Sequence, residues 1–269
     1  MQLETLPYNN KNTLIGEKDV YRILTQFDVK EPFKDINMYR KALVHKSYCT
    51  RKNENFLNGN TKCPADCLPL QEESNERLEF LGDAILNMTV AGYLYERYPN
   101  ENEGFLTRMR TKLVNGKMLA WLADKVGLSS YILISKQIEE NDGRKNLNIL
   151  EDTFEAFIAA LYLDFGRKGF EMAQEWIISV IETNLDFSEL IKQNNNYKDM
   201  FLKYYQQNYS VVPKFFEMNV NTNNSNNKTY TVCIKDGDII LGIGKGPNKK
   251  EAENEAARLA LNQSKFENT

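Results

Sequence analysis

Asn75-Glu76-Arg77-Leu78-Glu79-Phe80-Leu81-Gly82-Asp83-Ala84 opens the strongest helical signal in the chain, SNERLEFLGDAILNMTVAGYLYERY from Ser74 to Tyr98. Ser74 or Asn75 supplies a cap, and Pro99 with Asn100 ends the run. At about 100° per residue, Glu76, Glu79 and Asp83 share an arc of roughly 60°. Leu78, Leu81, Ile85 and Met88 gather on the other side. Three acids on one stripe repel, at a few tenths of a kcal/mol per pair. The stripe is therefore either a solvated face softened by Arg77 or a place where cations collect, and spacing alone does not separate the two.

A second acidic pair lies downstream in LEDTFEAFIAALYLD, residues 150–164. Asp152 and Glu155 are three apart and share a helix face, while Phe154, Phe157, Ile158 and Leu161 supply apolar bulk. Oxygen ligands without His or Cys suit Mg2+ or Mn2+. One or two such ions bridging acids of two helices could orient water, polarise a phosphoryl oxygen and stabilise a leaving alkoxide. Whether the two helices meet is not written in the spacing. The single histidine, His45, argues against His-based acid–base chemistry and reads as a packed or capping residue. His45, Cys49, Cys63 and Cys67 have loose zinc-like spacings, but reduced thiols in and near a loop are the preferred reading.

Outward from these stretches, helical periodicity covers EKDVYRILTQFDV, DINMYRKALVHKSY, GFLTRMRTKLVNGKMLAWLADKVG (divided near Asn115–Gly116) and GFEMAQEWIISVIETNL. Residues 50–73 break the pattern with Asn, Gly, Pro and Lys and read as a long surface loop. No strand periodicity precedes residue 190, so the first domain is expected to be essentially all helical. Residues 185–196, LDFSELIKQNNN, lose the pattern and read as a linker. Beyond it come a helix (YKDMFLKYYQQNY), strands (VPKFFEMNV and TYTVCIKDGDIILGIGKG, with a hairpin turn at Asp236–Gly237) and a closing helix, KKEAENEAARLALNQ. That order, α-β-β-β-α, predicts a three-stranded antiparallel sheet covered on one side by two helices.

The net charge is −3, so the chain as a whole does not advertise a polyanionic partner. Of 34 Lys+Arg and 37 Asp+Glu, 10 and 8 lie from Asn196 onward, leaving 24 against 29 before it. An acidic front and a mildly basic tail fit chemistry by carboxylates in one part and phosphate contact in the other. The N-terminus MQLETLPYNN lacks a signal-peptide apolar core, and no run approaches a membrane span. An intracellular protein, cytoplasmic or nuclear and without a membrane partner, is expected.

The segment Asn75–Ala84, read without a gap, resembles the ribonuclease III signature. NEGFLTRMRTKLVNGKML and LEDTFEAFIAALYLD resemble that family's second and third acidic segments, and KALVHKSY resembles the stretch upstream. The likeness runs in order over about residues 18–183, and the tail resembles a double-stranded-RNA-binding domain. It implies a mostly α catalytic domain over 1–184 with an insertion loop at about 50–73, a linker over 185–196, and a small α+β domain over 197–269. It further implies that Glu79, Asp83, Asp152 and Glu155 bind Mg2+ (or Mn2+), with Asp83 and Glu155 central to hydrolysis. Glu76 and Glu103 would support them. The expected reaction is endonucleolytic hydrolysis of double-stranded RNA, leaving 5′-phosphate and 3′-hydroxyl ends, in RNA processing or RNA silencing. The family works as a homodimer, which would place Phe80 and Leu81 at the subunit contact, with Gly82 permitting close approach.

In the tail, Gly244-Lys245-Gly246-Pro247-Asn248-Lys249-Lys250-Glu251-Ala252 resembles the loop that delivers two lysines at a helix start, where free N–H groups favour phosphate. Lys249 and Lys250 are the implied RNA contacts, with Lys198 as a further candidate. Two departures stand out: VNTNNSNNKT replaces the family's Gly-Pro-x-His-like loop, and Leu202-Lys203 stands where polar Gln or Glu is often found. The competing reading is a non-catalytic RNA-binding or scaffolding protein that keeps the fold. The four carboxylates discriminate, since a relic has no reason to retain their repulsion.

Overall fold

The computed structural model describes residues 7–50, 63–192, 197–222 and 228–266. The chain divides into two compact units, Met1–Leu190 and Ile191–Thr269.

The first unit is helical, as expected: α1 (Glu17–Gln26), α2 (Ile36–Ala42), α3 (Glu76–Arg97), α4 (Glu103–Leu113), α5 (Gly116–Val126), α6 (Lys136–Glu140), α7 (Leu147–Phe165) and α8 (Gly169–Asn184), with α9 (Phe187–Lys192) at its boundary. Two isolated parallel bridges, Val44↔Leu133 and Cys49↔Gln71, are the strand-like pairings described there. Asparagines start three of the helices. The side-chain oxygens of Asn102, Asn115 and Asn146 accept from the amides of Phe105 (3.0 Å), Met118 (3.1 Å) and Asn148 (3.0 Å), each relieving an orphan donor. At α3 the expected cap is replaced by a tether: Asn75 makes no side-chain cap but donates from Nδ2 to the Ala42 carbonyl at 3.2 Å. This fixes the start of α3 to the end of α2.

α7 is the central helix, packed against α2, α3, α5 and α8 and buried at nearly every position from Ile149 to Leu161. Its apolar composition all round explains the placement. Trp176 of α8 is fully buried among the rings of Phe154, Phe157 and Phe27, with centroids at 5.5, 5.3 and 6.2 Å, and donates its indole N–H to the Ile23 carbonyl at 3.3 Å. Near the far end of α7 the buried Asp164 accepts from the amides of Lys34 and Asp35 and from the Tyr39 hydroxyl, holding the entry to α2 against α7.

Of the segment read as a surface loop, residues 51–62 lie outside the described residues. Its base is closed: the Thr50 amide donates to the Gln71 carbonyl at 2.8 Å, and the Gln71 amide to the Tyr48 carbonyl at 3.0 Å. Within the segment read as linker, Phe187–Lys192 is helical, with Phe187 and Leu190 buried in the first unit's core. Two apolar residues make a stripe too short to register as helical periodicity.

The second unit is α10 (Tyr197–Tyr209), β1 (Lys214–Thr222), β2 (Lys228–Asp236), β3 (Ile239–Gly246) and α11 (Lys249–Phe266), with an antiparallel sheet in the order β1-β2-β3. Asp236 pairs with Ile239, so the two turn residues are Gly237 and Asp238, one position beyond the expected Asp236–Gly237; Gly237 takes φ +57°, as such a turn requires. Phe201, Ile234, Ala256, Ala257 and Ala260 form the core under the helices.

Candidate active site and nucleic-acid surface

The site is made where α3 crosses α7. A Cβ added at Gly82 would lie 1.8 Å from the Glu155 carbonyl oxygen, so the helices meet backbone to backbone at that point. Only glycine permits this approach. Asp83 follows Gly82 and Glu79 precedes it by one turn, while Asp152 stands one turn before Glu155. The crossing therefore gathers the two acidic pairs that spacing alone could not join.

Their charges are felt mutually. Glu155 is only 7% exposed, and its carboxyl has no hydrogen bond or ion pair among the described residues. Burial, followed by the charges of Asp83, Glu151, Glu79 and Asp152, pushes its pKa up to about 8. Glu79 is raised by burial and then by Asp152, and Asp152 by burial and then by Glu151, with Lys46 pulling both the other way. Asp83 accepts a hydrogen bond from Asn87 Nδ2 at 2.6 Å, which orients it from one turn further along α3.

The supporting acids are placed differently. Glu76 is taken by Lys46 Nζ at 3.1 Å and by Ser74 Oγ at 3.0 Å, and these bonds hold its carboxyl below the ordinary range. Glu103 starts α4 and accepts from Thr107 Oγ1 at 2.7 Å; the acids that shift Glu155 most are Asp83, Glu151, Glu79 and Asp152. Three residues of this region were not singled out by spacing: Glu151, Asn87 and Lys46. Glu151 is four before Glu155, a same-face interval, but its neighbour Asp152 drew the reading.

The signature's apolar part splits. Phe80 is 81% exposed, whereas Leu81 is half-buried against the intrachain core and Gly82 is buried at the α7 crossing. The close approach that Gly82 permits is made to the chain's own α7. Met88, assigned to the inward face, is 65% exposed; with Phe80 and Tyr95 (73%) it forms an outward apolar stripe beside the acids.

The loose zinc spacing does not form a site. Among the described residues no three His, Cys, Asp or Glu side chains close into a preformed ion cage. His45 Nδ1 accepts the Ser47 amide at 3.2 Å as the cap of a short 3-10 turn, burial lowers its pKa, and no disulfide joins any of the four cysteines. The acids of the crossing are coupled rather than caged, as expected of like charges. Their all-oxygen donor set, with a buried and unpartnered carboxyl at its centre, fits a hard divalent cation.

In the second unit Asn248 caps α11: its Oδ1 accepts the Glu251 amide at 2.9 Å, and its Nδ2 donates to the Glu251 carboxylate at 2.8 Å. Lys249 and Lys250 are exposed in the first turn of α11, Lys249 with Glu217 at 3.9 Å. Lys198 is engaged within the unit, donating to Glu253 Oε2 at 2.6 Å while lying over the Phe215 ring at 4.7 Å.

A carboxylate-bearing helical unit and an α-β-β-β-α unit with lysines at a helix start are the parts of an enzyme acting on duplex nucleic acid. Residues 35–185 match the family model described as ribonuclease-III-like, and residues 197–264 match the double-stranded RNA binding motif. The "Ribonuclease 3" of Borreliella burgdorferi is 34% identical over 229 residues, covering 85% of this chain and 85% of that protein. "Probable ribonuclease 3" of Acanthamoeba polyphaga mimivirus is 34% identical over 253 residues, and the match covers 93% of this chain but 46% of that longer protein. A solved nuclease domain of ribonuclease III from Campylobacter jejuni, described for flexibility in a region involved in dimer formation, superposes with TM-score 0.50 at 33% identity, covering 63% of this chain and 99% of that one. The chain belongs to the ribonuclease III family. It is an endoribonuclease of that type, carrying a double-stranded-RNA-binding motif.

Proposed function

We propose that Glu79, Asp83, Asp152 and Glu155 hold Mg2+ or Mn2+ and that the chain hydrolyses phosphodiester bonds of double-stranded RNA, leaving 5′-phosphate and 3′-hydroxyl ends. The observation that carries this reading is Glu155, a residue only 7% exposed whose carboxyl has no hydrogen bond or ion pair among the described residues and is surrounded by other acids at the Gly82 crossing. A divalent ion bound there supplies Lewis-acid polarisation of a phosphoryl oxygen and lowers the pKa of water. Asp83 and Glu155 face the scissile group from two different helices. Asn87 keeps the Asp83 carboxylate in one orientation, and the tight crossing prevents the two acids from drifting apart. Lys46, bound to Glu76 at the rim, places positive charge where a phosphate would approach and helps keep Glu79 and Asp152 ionised.

The exposed stripe of Phe80, Met88 and Tyr95 is the face through which two copies would pair, lying alongside the acids so that paired sites would border one duplex. Lys249 and Lys250, at the amide-rich start of α11, contact RNA phosphates. Lys198 can do so only by leaving Glu253.

The test is incubation of the full chain with duplex RNA in Mg2+ and in EDTA, with the product ends mapped. Metal-dependent cutting with 5′-phosphate ends is expected, and Glu155→Gln should abolish it. Duplex binding without cutting in any divalent ion would instead favour a scaffold that keeps the fold.

A further inference from the structure

We propose that Glu151 is a fifth carboxylate of the metal site in this chain, presented to the cation from the α5 side of Glu155. The inference rests on the metal reading above and extends it to a residue outside the four-acid set. Glu151 lies one turn before Glu155 on α7, so both project from one face of the helix. Its carboxylate is seated in a space that exists because residue 116 has no side chain. A Cβ there would stand 2.3 Å from Glu151 Oε2, 2.8 Å from Cδ and 3.0 Å from Oε1. Gly116 is the first residue of α5, after the Asn115 cap, so the carboxylate rests against a helix start whose dipole favours an anion.

Glu151 also lies within electrostatic reach of Glu79 and Asp83, both on α3. Among the described residues it has no hydrogen bond or ion pair. Glu155 independently points to a ligand: nine-tenths buried and equally unpartnered, it feels Asp83, Glu151, Glu79 and Asp152 together. Two unpartnered acids one turn apart, facing further acids across a helix crossing, are stabilised jointly by a divalent cation.

Mn2+ is the probe, its free concentration read by electron paramagnetic resonance with the full chain and no RNA. Wild type is compared with Glu151→Gln, Gly116→Ala and Glu155→Gln, each checked by its thermal midpoint in EDTA. Glu151→Gln is expected to weaken Mn2+ binding at least about tenfold, a typical loss for groups that support a metal site. Gly116→Ala, which displaces the carboxylate without removing it, should weaken it in the same direction, and Glu155→Gln more severely. The inference is overturned if Glu151→Gln and Gly116→Ala bind Mn2+ as wild type does while Glu155→Gln is impaired; the four-acid site then stands without Glu151. Failure of wild type to bind Mn2+ at all overturns both the metal reading and this extension.

Discussion

Replacing Glu155 by Gln should stabilise the metal-free protein at alkaline pH and leave it almost unchanged at acid pH. In the unfolded chain this carboxyl releases its proton near 4.5, and in the folded chain near 8. Between those values the folded state holds a proton that the unfolded state has lost, so raising the pH favours unfolding. The stability tied to the protonated form is therefore present below the unfolded value and lost as pH rises through the folded one. Above the folded pKa the full penalty is on the order of 5 kcal/mol. Gln has nearly the same shape and does not titrate. In EDTA at about pH 5 the two proteins should differ by no more than about 1 kcal/mol, whereas at about pH 9 the variant should be more stable by on the order of 5 kcal/mol, or roughly 10–20 °C in thermal midpoint. Glu79, Glu151 and Asp152 are raised as well and add to the alkaline loss in both proteins, so the difference between them isolates Glu155. The measurement is a pair of thermal-midpoint curves against pH in EDTA, repeated with Mg2+, which should restore wild type preferentially. Parallel curves from pH 5 to pH 9 would show that Glu155 is not a buried acid crowded by others.

Gly82→Ala forces a methyl to within 1.8 Å of the Glu155 carbonyl where ordinary contact begins at 3.4 Å, so α3 must retreat by more than an ångström. Urea denaturation should show a loss of about 2–3 kcal/mol, and cleavage should fall by at least about tenfold as the acids separate; a variant as stable and active as wild type would refute the tight crossing. Lys249→Ala combined with Lys250→Ala should weaken duplex binding uniformly across sequences and reduce the log–log salt slope by about 2 in filter-binding titrations. An unchanged slope would remove α11 from the RNA contact. Phe80→Asp should shift the full chain toward monomer in sedimentation equilibrium with its helical circular dichroism intact, and an unaltered oligomer would move the pairing face elsewhere.

The helices were legible because their information is local. Periodicity set α3 and α7, the break at Asn115–Gly116 became a capped helix start, and the β-branched, aromatic stretch TYTVCIKDGD gave β2. What escaped depends on partners distant in sequence. Met88 falls on the apolar side of the helical wheel, yet it is 65% exposed. Asn75 looked like a cap, yet its side chain is spent on Ala42 of another helix. The α9 helix was hidden in six residues, too few for a pattern. At the site, charge type and spacing picked out Glu76, Glu79, Asp83, Asp152 and Glu155, and the family resemblance set Glu76 apart in a supporting role; the geometry that brings the other four together depends on Gly82, a residue with no chemistry of its own. Glu151 was hidden for a related reason: its seat is cut by Gly116, thirty-five positions earlier.

That dependence explains why these acids sit on two packed helices, α3 and the deeply buried α7, rather than on a loop. Two carboxyls that must share a cation need to be fixed within a fraction of an ångström, and close-packed helices provide that rigidity. The cost is a buried, crowded Glu155, which by itself destabilises the fold at alkaline pH. Trp176 and its aromatic partners pack against α7 at Phe154 and Phe157, on either side of Glu155 in the sequence, and hold the helix in place despite that cost. On this reasoning the aromatic cluster serves the site as well as the core. Trimming Phe157 should loosen the placement of Glu155 as it lowers stability, while an equally destabilising change near α1 should lower stability alone.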